Sequence, residues 1–400
     1  MISGFPTVFR PVMLAAGLYA AIAPVATGAQ GAAVAAQDAG PVPPVSLDGA
    51  PIALMIDLGS GRVLFSREAD RRFMPASLTK LMTAYTVFEM LDEGTLQPEQ
   101  RMPVRDETFH EWSGKGSSMF VAKGSSIGVD ALLRGILTVS ANDGCVVMAQ
   151  GAAGSVPAFT DLMNAKAREL GMNDSHFGTP NGWPDEGRTY TSARDLATLA
   201  TAIITKHPAK YRRYFSAPSF TWNEITQNNR NPIMGVVEGA DGLKTGFTNE
   251  AGFGFVGSAE RNGRRIVMVI GGTESGSARK AIARDFIGWG FDEWHAKRLY
   301  GAREPVAEVA LQGGAQRTVE LSSVRPIFVT APDGDPAATK IAVRYLGPAK
   351  APIRKGEEIA TLLIETSDGV KSSVPLVAVK DVAAANWWQR WRNGLLSLVS

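Results

Sequence analysis

From residue 52 to residue 66 the chain alternates as a hairpin: an apolar run, IALMID, then a Gly-Ser-Gly turn at Gly59 to Gly61, then a second short strand. Between Ser77 and Leu91 apolar side chains fall on every side of a helical wheel, at Leu78, Leu81, Met82, Tyr85, Phe88 and Met90. That density predicts a buried helix starting after Pro75, a residue suited to a first turn. Helical periodicity recurs at about 129–138, 143–153, 156–170, where Gly171 ends it, and 193–204. Strand patterning returns only late, in GFGFVGSAE and RRIVMVIGG, which the turn RNG joins as a second hairpin. Strands at both ends of a helical block predict an α+β fold, an αβα sandwich whose sheet collects the first and last strands.

The pattern then changes style. Beyond FIGWGFDEWHAKRLYGAREP, the runs TVEL, PIFVT and IAVRYLG are separated by turn-forming GG, PDGDP and GPAKAP, with no helical period, which predicts a small all-β domain. In the last segment Trp388, Trp391, Leu395, Leu398 and Val399 share one side of a wheel, while Gln389, Arg390, Arg392 and Asn393 lie elsewhere. An amphipathic helix with tryptophans and arginines fits the surface of a membrane; the alternative is a helix that docks its tryptophans on the β domain. At the other end, PVMLAAGLYAAIAPVATG follows Arg10 and gives way to small residues, with a cleavage-compatible A-V-A at Ala33 to Ala35. This reads as a cleavable secretory signal, with a retained N-terminal anchor as the alternative. The resulting division is a signal at 1–35, a first domain at 44–300, a β domain at 301–380 and an amphipathic anchor helix at 381–400. An exported protein works where ATP and nicotinamide cofactors are not available, so no cofactor is expected.

Composition narrows the chemistry. A formal net charge of +2 over 400 residues gives no basic field for nucleic acid. The one cysteine, Cys145, leaves no internal disulfide and no zinc ribbon. The four histidines, His110, His176, His207 and His295, form no metal-binding pair and stand in no G-x-S-x-G context, so no metal is expected. The stretch SGKGSSMF lacks the leading glycine of a phosphate loop, Phe109 standing in its place, and reads as a mobile polar loop near Lys115.

What remains is Ser77 and Lys80, one helical turn apart. A serine nucleophile needs a base, and a neutral lysine on the same face supplies one. The lysine must first lose its proton, which costs on the order of 4 kcal/mol from a starting pKa of about 10.4 unless burial or a nearby cation lowers it. Two further triplets accompany S-x-x-K: SAN at Ser140 to Asn142, and KTG at Lys244 to Gly246. In this order the three resemble the signature of the penicillin-binding and active-site-serine β-lactamase superfamily. PASLTKLMTA, SANDGCVVMA, LGMNDSHFGTPNGW, YTSARDLA, ITQNNRNPIM and GLKTGFTNEAGFGFVGSA are similar to the D-alanyl-D-alanine carboxypeptidases of the low-molecular-mass penicillin-binding proteins, over about 51–294.

The resemblance implies a role for each residue. Ser77 would attack the carbonyl of the penultimate D-alanine of a peptidoglycan stem peptide, and Lys80 would be its base. Ser140 would relay a proton to the leaving amine, and Asn142 would hold Lys80 and the substrate amide. Lys244 would lower the pKa of Lys80 and, with Thr245, face the terminal carboxylate. Gly246 would let a substrate strand approach the sheet edge, and the N–H groups of Ser77 and Phe247 would form the oxyanion hole. Arg230 and Arg279 fall where the family places carboxylate-binding arginines. Phe247 stands where many relatives carry histidine, and Cys145 reads as a packing residue. The resemblance also implies acylation by β-lactam antibiotics and a periplasmic protein held to the outer face of the cytoplasmic membrane. A glutamate-assisted β-lactamase is the reading that Glu169 and Asn173 offer, discounted because Glu169 closes a helix. DD-endopeptidase action on cross-links and a non-catalytic wall-binding protein are the remaining alternatives.

Overall fold

A computed structural model describes residues 40–332, 339–366 and 368–389. The predicted signal segment lies outside the described residues, as does the predicted anchor helix from residue 390 onward; Trp387 to Gln389 are helical. Among the described residues no helix is long and apolar enough to cross a membrane.

The first domain is built on an antiparallel sheet of five strands: β1 (Ile52–Asp57), β2 (Arg62–Arg67), β3 (Ala240–Thr248), β4 (Gly252–Arg261) and β5 (Arg264–Thr273), in the order β2-β1-β5-β4-β3. The first hairpin thus meets the last strand at its centre, β1 pairing with β5 from Ile52↔Gly271 to Asp57↔Ile266. Because β1 and β5 are covered on both faces, they are apolar almost throughout rather than alternating. On one face pack α1 (Lys80–Asp92), α2 (Val129–Thr138), α3 (Asn142–Ala153), α4 (Val156–Glu169) and α5 (Ala193–Lys206), around a core that includes Leu81, Tyr85, Leu132, Met163 and Ile203. On the other face α6 (Gly276–Asp292) sets Ile282, Phe286 and Ile287 against Phe255, Met268 and Ile270. The helix α1 is buried nearly all round, as its sequence requires.

The strand β3 is the longest strand that patterning misses. Its ADGLKTGFT has neither alternation nor a β-branched run, yet it pairs along its length with β4, from Ala240↔Ala259 to Thr248↔Gly252. It closes one edge of the sheet, and nothing pairs with its outer side among the described residues. Two short ribbons, Arg101–Pro103 with Ser126–Gly128 and Ser219–Trp222 with Ile225–Asn228, are further strands ahead of the late hairpin.

The second domain is all β. Its principal sheet has six strands, and its core includes Val309, Leu321, Leu362, Val374 and Leu376. The strand His295–Tyr300, which the sequence reading counts with the first domain, pairs here with Ile327–Ala331. The domains meet at the β1–β2 turn. Asp57, fully buried, accepts hydrogen bonds from Arg264 and from Thr330 Oγ1, each at 2.8 Å. Arg62 donates to the Thr330 carbonyl (3.0 Å) and to Thr366 (3.2 Å) and pairs with Asp368. A Cβ at Gly61, whose φ is +71°, would lie 2.2 Å from the Ser373 carbonyl oxygen.

Candidate active site

Pro75 opens a single 3₁₀ turn, Ala76–Thr79, that runs directly into α1. In a 3₁₀ turn residues i and i+3 eclipse one another, so Ser77 and Lys80 are brought together more closely than an α-helical turn would manage. Lys80 Nζ donates to Ser77 Oγ at 2.7 Å, to Asn142 Oδ1 at 2.7 Å and to the Asn181 carbonyl at 3.0 Å. These three acceptors match the three protons of an ammonium. When the amine is neutral, its lone pair is free to accept the Ser77 hydroxyl proton instead.

Lys80 is fully buried, and its pKa is lowered from 10.5 to about 8. Burial is the largest cause; the Asp143 carboxylate opposes it by favouring the cation, and the positive Arg230 reinforces it. Sequence reasoning assigns that reinforcement to Lys244. The two lysines repel one another, and the Lys244 amine is itself held well below its ordinary value by burial, then by Lys80 and Arg230. Lys244 Nζ donates to the Thr245 carbonyl at 2.9 Å. Cys145 is fully buried, and burial pushes its thiol up to about 12, so it is a packing group and not a thiolate.

Asn142 is the first residue of α3. Its amide reaches Lys80 on one side and donates to the Lys115 carbonyl (3.2 Å) on the other. Ser140, two residues earlier, is buried with φ of +66°, a conformation that costs about 1–3 kcal/mol for a residue with a side chain. It shares no hydrogen bond with Ser77 or Lys80 among the described residues. Gly246 is also needed for packing. A Cβ there would lie 2.7 Å from the Pro75 carbonyl oxygen and 3.0 Å from Leu78, so the glycine lets β3 press against the turn that carries Ser77. Gly182, at φ +74°, does the same from the opposite side, where a Cβ would fall 1.8 Å from the Ala76 carbonyl oxygen.

A cavity of about 380 Å³ opens in front of Ser77, walled by Asn142, Ser117, Trp183 and Phe247. Phe247 is half exposed and stacks on Phe253, with ring centroids 4.0 Å apart. Ser117 belongs to the polar loop that sequence reasoning sets aside as mobile. The loop is tied down instead. Asp143, buried on α3, accepts hydrogen bonds from Ser118 Oγ (2.6 Å), Met119 N (3.1 Å) and Val121 N (3.2 Å). Lys115 lies over Trp112 and Trp183, 4.5 and 5.1 Å from the ring centroids. Ser117, Asp143, the Asn181 carbonyl and Trp183 are thus residues at or beside the site that motif reasoning passes over, although SGKGSSMF, SANDGCVVMA and LGMNDSHFGTPNGW contain them.

The two arginines flank the site differently. Arg230 donates to Ser117 Oγ at 2.7 Å, across the cavity wall. Arg279, on α6, donates to the Gly246 carbonyl at 3.4 Å and lies over the Phe253 ring, 5.5 Å from its centroid. Burial and the neighbouring Arg230 lower its pKa. Both line a second cavity of about 440 Å³ together with Asn229, Asn231 and Lys280. Glu169, the group that a β-lactamase reading needs, is exposed at the end of α4 and pairs with Lys166 at 3.2 Å.

The family model for D-alanyl-D-alanine carboxypeptidase matches residues 43–275, and that for the C-terminal domain of penicillin-binding protein 5 matches residues 294–384. The D-alanyl-D-alanine carboxypeptidase DacF of Bacillus subtilis is 31% identical over 341 residues, covering 84% of this chain and 86% of its own length. Penicillin-binding protein 5 of Haemophilus influenzae superposes with a TM-score of 0.68 at 30% identity, covering 84% of this chain and 98% of its own. Penicillin-binding protein D2 of Listeria monocytogenes, in its ampicillin-bound form, superposes with a TM-score of 0.55 at 29% identity, over 61% of this chain and 98% of its own.

Proposed function

Because the chain belongs to the D-alanyl-D-alanine carboxypeptidase family, a family of serine-type hydrolases, we propose that it removes the terminal D-alanine from peptidoglycan stem pentapeptides through an acyl-enzyme on Ser77. The observation that carries this reading is the 2.7 Å contact between Ser77 Oγ and a fully buried Lys80 whose pKa lies near 8. Near neutral pH an appreciable fraction of such an amine is unprotonated and able to take the hydroxyl proton.

The steps follow from that contact. Ser77 Oγ adds to the carbonyl carbon of the penultimate D-alanine as its proton passes to Lys80 Nζ. The oxyanion is held by the N–H groups of Ser77 and Phe247. The C–N bond then breaks, and the proton returns through Ser140 to the leaving amine, releasing D-alanine. Water hydrolyses the ester to regenerate Ser77. Asn142 orients Lys80 and the substrate amide, and Lys244, Thr245, Arg230 and Arg279 receive the terminal carboxylate. Penicillins acylate the same serine, in keeping with the ampicillin-bound relative.

Mass spectrometry after exposure to penicillin tests the nucleophile: an acyl adduct on Ser77 is expected, and its absence in the wild-type protein would sink the reading. Release of free D-alanine from a stem pentapeptide then distinguishes carboxypeptidase from cross-link cleavage. The protein is exported and its C-terminal segment lies on the outer surface of the cytoplasmic membrane. Truncation before Asn386 is expected to release it from membranes with peptide hydrolysis unchanged; continued membrane retention would count against the anchor.

A further inference from the structure

One charged group in the nucleophile's cavity has no task in this mechanism. Glu250 lines the cavity with Ser77, Phe247, Thr248 and Asn249. Its carboxylate has no ion-pair or hydrogen-bond partner among the described residues. The backbone that carries it is fixed, because Ala251 N donates to Thr248 Oγ1 at 3.0 Å and closes the turn beyond β3.

The edge strand therefore has basic groups before Phe247 and an acidic one after it. Lys244, at its middle, has Arg230 and Arg279 close enough to depress its pKa. Glu250 stands in the turn just past its C-terminal end. On the proposed function, on which this inference rests, the terminal carboxylate sits at the Lys244 end and the scissile carbonyl at the Phe247 N–H. The acyl portion must then run the other way, past Thr248 toward Glu250. Glu250 sits in the turn just beyond β3, three residues past Phe247, and lines the same cavity as Ser77. One residue of peptide and a lysine-length side chain together reach roughly 10 Å, enough to pass from Phe247 to that turn.

We infer that Glu250 is a specificity residue that selects a positively charged side chain, the free ammonium of a diamino acid, on the residue preceding the two D-alanines. A neutral or acylated side chain at that position leaves the carboxylate unpaired and gains nothing. Glu250 is exposed, so the pair is solvated and screened, and its effect is modest: about three- to fivefold in kcat/KM at low ionic strength, shrinking as salt is added.

The experiment compares two peptides, Nα-acetyl-L-Lys-D-Ala-D-Ala and its Nε-acetylated counterpart, on the full chain in the wild type and in the Glu250→Gln and Glu250→Lys variants. The expected result is a wild-type preference for the free amine, erased in Glu250→Gln and reversed in Glu250→Lys. Equal kcat/KM for the two peptides in the wild type, or a preference that survives in both variants, overturns the inference. If the wild type is acylated by penicillin and cleaves both peptides equally, this inference fails while the proposed function stands. If it neither forms the adduct nor cleaves either peptide, the proposed function fails and takes the inference with it.

Discussion

Lys80 uses all three ammonium protons inside the protein, yet its pKa is held near 8 against an ordinary 10.5. Two consequences follow, of the same sign. The reactive form is the neutral amine, so kcat/KM for acylation should rise about tenfold per pH unit below 8 and level off above it. Replacement by arginine, which stays charged, should lower it about 10²- to 10⁴-fold. For stability, both folded and unfolded lysine are protonated below pH 8, and the folded state carries the full burial penalty. Between about 8 and 10.5 the unfolded state binds more protons, so stability should increase with pH across that window. Denaturant titrations at several pH values should show this rise, shallower in Lys80→Met; an identical rise would mean that Lys80 is not the group responsible. At this scale the sequence was informative where chemistry resides in side chains: S-x-x-K, SAN and KTG put Ser77, Lys80, Asn142 and Lys244 on the page. It was silent on the Asn181 carbonyl, since nothing in the sequence distinguishes that carbonyl from any other. It named burial and a nearby cation as the two ways to depress Lys80 but could not weigh them, because burial, the larger, is a property of the fold.

The loop from Ser117 to Val121 illustrates what an element owes to its neighbours. Its two serines follow the polar SGKG run, and the three apolar residues after them are too few to show a hydrophobic period, which is why it reads as mobile. Its order comes from Asp143 on α3, whose buried carboxylate accepts three hydrogen bonds from it. Asp143→Ala should therefore cost about 3 kcal/mol, as expected for losing several buried bonds to a charged acceptor. It should also raise amide exchange at 117–121 above that of α3; uniform exchange across both would show that the loop holds itself. The edge strand β3 escaped patterning for a related reason. Its glycines and lysine are chosen for close approach to the 3₁₀ turn and for the site, so the alternation that marks a strand is missing. The helices α1, α2 and α3 and the two hairpins, most of whose residues serve packing, were legible to within a few positions.

Across the whole molecule, the β1–β2 turn joins the two domains through charge as well as shape. Arg62 is nearly buried and bonded to three residues of the β domain, while Asp57 bridges Arg264 and Thr330. Removing one partner of such a network strands the others, so Arg62→Ala should lower unfolding free energy by roughly 3 kcal/mol. Urea titration should show this as a lower midpoint; an unchanged midpoint would mean that the domains are held by apolar contact alone. Sequence patterning separated the domains by style but could not foresee this seam, because Asp57 and Arg62 sit in a hairpin turn that looks like any exposed loop. The free outer side of β3 carries a different kind of consequence. An unpaired strand edge is a template for any extended chain, including a second misfolded copy of the protein itself. If a substrate strand adds to this edge, as proposed, the edge cannot be covered, and solubility at high concentration then rests on the charge and glycine content of nine residues. A ligand that occupies that edge should slow aggregation as well as inhibit.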